Sequence, residues 1–150
     1  MLLRALRVLM GYLLACIAFA LVLVAFVFTP GEFASLPADA VTERLAMAGF
    51  QLLASFIQVV IFAAPAALVA AGIAEWRHVS AWFYYVVMAL LIAGIGFLAQ
   101  YASELQGAPT IVNGYAVVAF LAGGISAGLV YWLAVARRPA PGKAAALHSA

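Results

Sequence analysis

Residues 45–74 read LAMAGFQLLASFIQVVIFAAPAALVAAGIA, thirty positions without one ionised side chain. A helix that crosses a bilayer needs about 20 mostly apolar residues. This run exceeds that length: as a helix it would extend about 45 Å, against a hydrocarbon core of about 30 Å. It must tilt, kink or project beyond the bilayer. Pro65 removes one backbone donor and crowds the preceding turn, which predicts a kink there. Working outward, three more apolar runs cover residues 8–28, 81–101 and 111–136, and each is long enough to span.

The composition follows the same logic. The chain is 69% hydrophobic and 8% charged, whereas a soluble domain carries about 25% charged residues. Four spans leave no room for a folded aqueous domain. The expectation is a single membrane domain over residues 1–136, followed by a flexible basic tail over 137–150.

The charges orient these spans. With the N-terminus placed in the cytoplasm, Arg4, Arg7, Arg77, Arg137, Arg138 and Lys143 fall inside and Arg44 falls outside. Lys/Arg bias sets orientation, and the outer placement of Glu32, Asp39, Glu43 and Glu104 is consistent with it. Trp76, Trp82 and Trp132 gather at the inner interface, with Tyr84, Tyr85 and Tyr131 close by, while Tyr101 and Tyr115 mark the outer one. Amphipathic rings prefer headgroup depth, so these are read as anchoring belts. The predicted fold is all-α: an antiparallel four-helix transmembrane bundle with N-terminus and C-terminus cytoplasmic.

Local signals refine the connections. Thr29-Pro30-Gly31-Glu32 ends the first span. Ser35 or Asp39 can cap the second helix, and Pro37 suits a first turn. The short inner connection over residues 75–79 makes spans two and three antiparallel neighbours, and Ser80 can cap the third. Arg4 and Arg7 before an apolar run resemble a signal peptide, and Leu13-Leu14-Ala15-Cys16 faintly resembles a lipoprotein cleavage box. The run stays apolar to Phe28, so an uncut span is expected. Cys16 is the only cysteine and can form no disulfide within the chain.

Two sets of residues are candidates for function. Gln51, Ser55 and Gln58 lie within about 60° of one another on one helical face. Gln100 and Ser103 on span three and Asn113 on span four stand at a similar or more external level, so the set could line a shallow polar cavity on the outer side. Alternatively, these groups bond to neighbouring helices and hold the bundle together, each contributing about 0.6 kcal/mol. The second set is small: Gly123, Gly124, Ala127 and Gly128 form a doubled GxxxG pattern on span four. Alanines 63, 67 and 71, and 66, 70 and 74, repeat at four-residue spacing on span two. Such faces let backbones approach, within one chain or between chains.

Much chemistry is disfavoured. No ionisable residue lies in a predicted span core, where proton relays and coupled transporters usually need one. His78 is the only histidine outside the tail, so a bis-histidine haem, a Cys/His zinc site and a histidine-activated serine within the membrane are all absent. Glu75, Arg77 and His78 read as an exposed loop cluster. The outer acids could attract a divalent cation, but solvated loop charges explain them better. No catalytic, metal or cofactor-binding residue is expected, and the net charge of +2 suggests no nucleic-acid partner.

Residues 74–85 (AEWRHVSAWFYY), 96–104 (GFLAQYASE) and 110–138, with the core GGISAGLVYW, resemble small four-span inner-membrane proteins of alphaproteobacteria. The resemblance covers about the second half of the chain. It implies a bacterial inner (cytoplasmic) membrane and brings no activity, cofactor or site residue. Small multidrug transporters need a glutamate in the first span, and disulfide-forming quinone reductases need paired cysteines; this chain has neither. The sequence leads to a non-enzymatic accessory or scaffold subunit that packs against other membrane helices, membrane lipid or a second copy of itself. The alternative is a small channel, carrier or lipid-binding protein that uses the polar stripe on span two.

Overall fold

Lipid offers no hydrogen bonds, so a spanning chain must satisfy its own backbone, and a helix does so locally. The computed structural model, which describes residues 2–28, 37–77, 79–104 and 114–136, is helical with no strand among those residues. Helix α1 is Leu2–Val27, α2 is Ala38–Trp76, α3 is Trp82–Glu104 and α4 is Gly114–Tyr131. A π-helical turn, Trp132–Ala136, continues α4. All four helices contain a segment long and apolar enough to cross a membrane. Asn113 and the tail over 137–150 lie outside the described residues.

The second helix is longer than its apolar run. At 39 residues it extends about 58 Å. Good helix formers such as Ala40, Glu43 and Arg44 carry it outward past the apolar boundary. The expected caps are not used. Asp39 lies inside the helix, Ser35 is outside the described residues, and Pro37 is the N-cap, with φ −65° and ψ 152° and no side-chain bond. The Pro37 carbonyl accepts the N–H groups of Ala40 (3.0 Å) and Val41 (3.2 Å). Proline's fixed φ suits this position, and it needs no donor there. The helix continues through Pro65. Ser80 does not start α3, whose first turn closes on the Ala81 carbonyl through the Tyr84 N–H. The Ser80 carbonyl instead accepts the Trp132 indole N–H at 3.0 Å.

Sequential helices run antiparallel. Between α1 and α2, the Tyr12 hydroxyl donates to the Val60 carbonyl at 2.6 Å, and the Arg44 guanidinium sits 4.8 Å over the Phe28 ring. Between α1 and α4, the Tyr115 ring meets the Phe26 ring at a tilt at one end, and Gly11 lies under Val135 at the other. Between α3 and α4, Tyr85 meets Tyr131 and Phe97 meets Phe120. Packing is closest along α1–α4 and α3–α4, while α2 leans on α1 and touches α3 at few points.

The glycines explain the close pairs. A methyl on Gly128 would fall 2.7 Å from the Val86 Cα and 2.8 Å from the Tyr85 carbonyl oxygen, so α4 approaches α3 backbone to backbone. Gly124 meets Ala89, Leu90 and Ala93 of α3, while Gly123 faces the Phe19 ring of α1. Small residues gain dispersion contacts this way in a medium where burial of apolar surface drives little. Large side chains face outward instead: Phe50, Ile61 and Leu68 on α2 are 74%, 71% and 70% exposed.

Candidate functional site: a cavity within the bundle

Alanines on α2 do the opposite of the glycines on α4. Ala63, Ala67, Ala70 and Ala71 face inward, but α2 stands off from α3. The missing side-chain volume remains as a cavity of about 840 Å³ lined by all four helices. That lies within the range of about 300–1,000 Å³ common for small-molecule sites. Its wall on α2 runs from Gln51 to Ala71, and on α3 from Tyr85 to Ser103. At 1.5 Å per residue these walls extend about 30 Å and about 27 Å, close to the hydrocarbon thickness.

The wall is polar at one end. Gln51, Ser55 and Gln58 of α2 line it, as do Gln100 and Ser103 of α3. Helical spacing of three and four places these side chains on inward faces. Ser103 donates to the Gln100 carbonyl at 2.7 Å. Among the described residues, no hydrogen bond joins the side chains of Gln51, Ser55, Gln58 or Gln100 to another group. Interhelical polar bonds come from tyrosines instead: Tyr12 to Val60, Tyr84 to the Ala70 carbonyl at 3.0 Å, and Tyr115 to the Phe26 carbonyl at 2.8 Å. Of these three, Tyr84 and Tyr115 are among the aromatic residues expected as interfacial belts, and here they fasten one helix to the next.

The rest of the wall is apolar and deep, which differs from the shallow polar cavity expected. Below Gln58 it is formed by Phe62 and the alanines of α2, by Met88, Ala89 and Ile92 of α3, and by Cys16 and Phe19 of α1. The small side chains let the space continue to Tyr85 and Tyr131. No Asp, Glu, Lys, Arg or His is among the described lining residues. Nor do the described residues hold a cluster of three metal-ligating side chains. The sequence pointed to the polar end of the α3 wall, Gln100 and Ser103, but not to its continuation down the helix. Its signal is the series Tyr85, Met88 or Ala89, Ile92, Gly96 and Gln100, which keeps one helical face.

Of the small-residue set on α4, Gly123, Gly124 and Gly128 are buried against neighbouring helices, and Ala127 and Gly128 also touch the cavity. The opening follows from lining residues that are also exposed. On α2 these are Gln51, Gln58 and Phe62, on α3 Ala99 and Ser103, on α1 Val27 and on α4 Tyr115. The space therefore reaches the surface toward its polar end, beside Val27 and Tyr115 and along the loosely packed α2–α3 seam.

Fold and cavity together describe a small four-helix protein suited to a membrane, with an interior site. No family model, no curated protein and no solved structure matches the chain.

Proposed function

We propose that this protein is a non-enzymatic integral membrane protein that holds an apolar or amphiphilic ligand, drawn from the bilayer, inside its bundle. The observation that carries this reading is the long cavity with the unbonded amides of Gln51, Gln58 and Gln100 on its wall. Polar groups facing hydrocarbon without partners are costly, so a ligand that meets them stabilises the folded state. A water or ion path is less suited to this wall, because conduction favours polar or charged lining along its length and here the inner half is mostly apolar, with no charged side chain among the described lining residues. The described lining holds no Asp, Glu, Lys, Arg or His, which favours the binding reading over catalysis.

The sequence left Gly123, Gly124, Ala127 and Gly128 as a packing face for helices of this chain or of another. Within this chain Gly123 meets α1, and Gly124 and Gly128 meet α3. That moves the weight toward a ligand inside. We further infer that both termini are cytoplasmic, from the Lys/Arg distribution, and that the membrane is a bacterial inner one, from the sequence resemblance.

Lipid analysis after purification in a mild detergent tests the binding reading. The wild-type chain should carry a stoichiometric lipid or other apolar compound. Ala67→Phe, which puts a ring into the space, should keep its helicity and lose that compound. Equal bound material in the two proteins would sink the proposal.

A further inference from the structure

Resting on that binding reading, we infer that the ligand is an uncharged amphiphile whose head lies among Gln51, Gln58 and Gln100 and whose chain runs inward past Ala67 toward Tyr85. The head position follows from hydrogen-bond capacity. Each glutamine amide offers two donors and an acceptor, and none of the three is engaged among the described residues. Carbonyl or hydroxyl oxygens would meet them.

Charge sets the class. A phosphate placed in this wall would be desolvated with no cation among the described lining residues, which is costly. Arg44, on the same helix, lies about 10 Å along the axis beyond Gln51 and rests over the Phe28 ring. The chain position follows from the apolar wall between Gln58 and Ala71, which is about 20 Å long. The route follows from the seam. Tyr84 bonds the Ala70 carbonyl near one end of it, and Phe62 stands opposite Gly96 near the middle. A lipid chain can slide between such few ties.

Two kinds of bilayer molecule share this chemistry, diacylglycerols and long-chain isoprenoid quinones. The full-length protein is placed in phosphatidylcholine vesicles with a diacylglycerol bearing a diazirine at its chain end. A parallel sample holds the matching phosphatidylglycerol. After illumination, adducts are mapped by mass spectrometry. Adducts on the diacylglycerol arm should fall near Ala71, Tyr85 and Met88, and exceed those of phosphatidylglycerol about tenfold, as one or two unmet polar interactions imply. The double variant Gln58→Leu, Gln100→Leu should lower diacylglycerol labelling about three- to tenfold, and leave phosphatidylglycerol labelling unchanged. Leucine suits a membrane helix, and circular dichroism checks that the variant is folded. Competition by unlabelled diacylglycerol or by unlabelled quinone supports the inference and tells the two sources apart. Phosphatidylglycerol labelling the wall as well as diacylglycerol, or chain-end adducts at Gln51, would overturn the inference while the binding reading stands. No wall labelling by any probe, unchanged by Ala67→Phe, would remove both.

Discussion

A methyl group at position 128 has no free space to occupy, because its nearest neighbours would be backbone atoms of Val86 and Tyr85. Backbone cannot turn aside as a flexible side chain can, so Gly128→Ala should push α4 off α3 and cost about 1–3 kcal/mol, the usual range for overpacking. Gly49 is the contrast: nothing lies within 4 Å of its added Cβ. Gly49→Ala should be neutral or stabilising by up to about 1 kcal/mol, through helix propensity alone. Unfolding both variants in mixed micelles against SDS reads the difference; equal stability would mean that the close α3–α4 approach is misplaced. Gly123→Ala should fall between them, since the Phe19 ring it meets can rotate. The sequence made the glycine pattern on α4 visible, yet Gly124 and Gly128 read identically whichever helix they touch. Gly11 went unread because it stands alone in its span, and its partner Val135 lies at the far end of the chain.

Among the elements, α2 shows most clearly what periodicity can and cannot reveal. Polar side chains are scarce in residues 45–74, so Gln51, Ser55 and Gln58 stand out and their shared face follows from 100° per residue. The alanines further along the helix are as visible, but a small face either draws a neighbour close or leaves a hollow. Which one occurs depends on the register of α3, and no local spacing encodes that. The hydroxyl bonds of Tyr12, Tyr84 and Tyr115 were equally hidden, because each joins positions distant in sequence. Tyr84→Phe tests the seam. Removing its bond to Ala70 should cost about 0.6 kcal/mol, the average for a polar contact between membrane helices. Amide exchange should quicken around Ala70 and Ala71 while α1 and α4 keep their protection. Exchange that does not change in α2 would show that the bond holds nothing shut.

For the whole molecule, run length and the scarcity of charge are sufficient to place four helices, because lipid removes most alternatives for an apolar chain. Sidedness rests on the basic residues alone, and it can be measured at two described positions. In a Cys16→Ala background, Glu43→Cys should react with an impermeant maleimide from outside intact cells, and Arg77→Cys only after the inner face is opened. Both reacting from one side would reject the antiparallel crossing of α2. The π-helical turn after α4 places Trp132 where its indole holds the Ser80 carbonyl. That contact fastens the α2–α3 connection to the end of α4, leaving the Gln51 end of the seam as the part with fewest ties.

The length of α2 has one more consequence. A rod of about 58 Å in a hydrocarbon layer of about 30 Å cannot be absorbed by the tilts of up to about 40° seen in membrane helices, so part of it stands in the headgroup region. Its lean is then set by the host bilayer as much as by its neighbours, and α1 is the neighbour that grips it. A thicker membrane raises α2 toward the normal and a thinner one lays it down, and either movement resizes the slot beside α3. If the bundle holds a ligand as proposed, acyl-chain length of the host vesicles should change its residence time, which dissociation measured in short- and long-chain lipid would show.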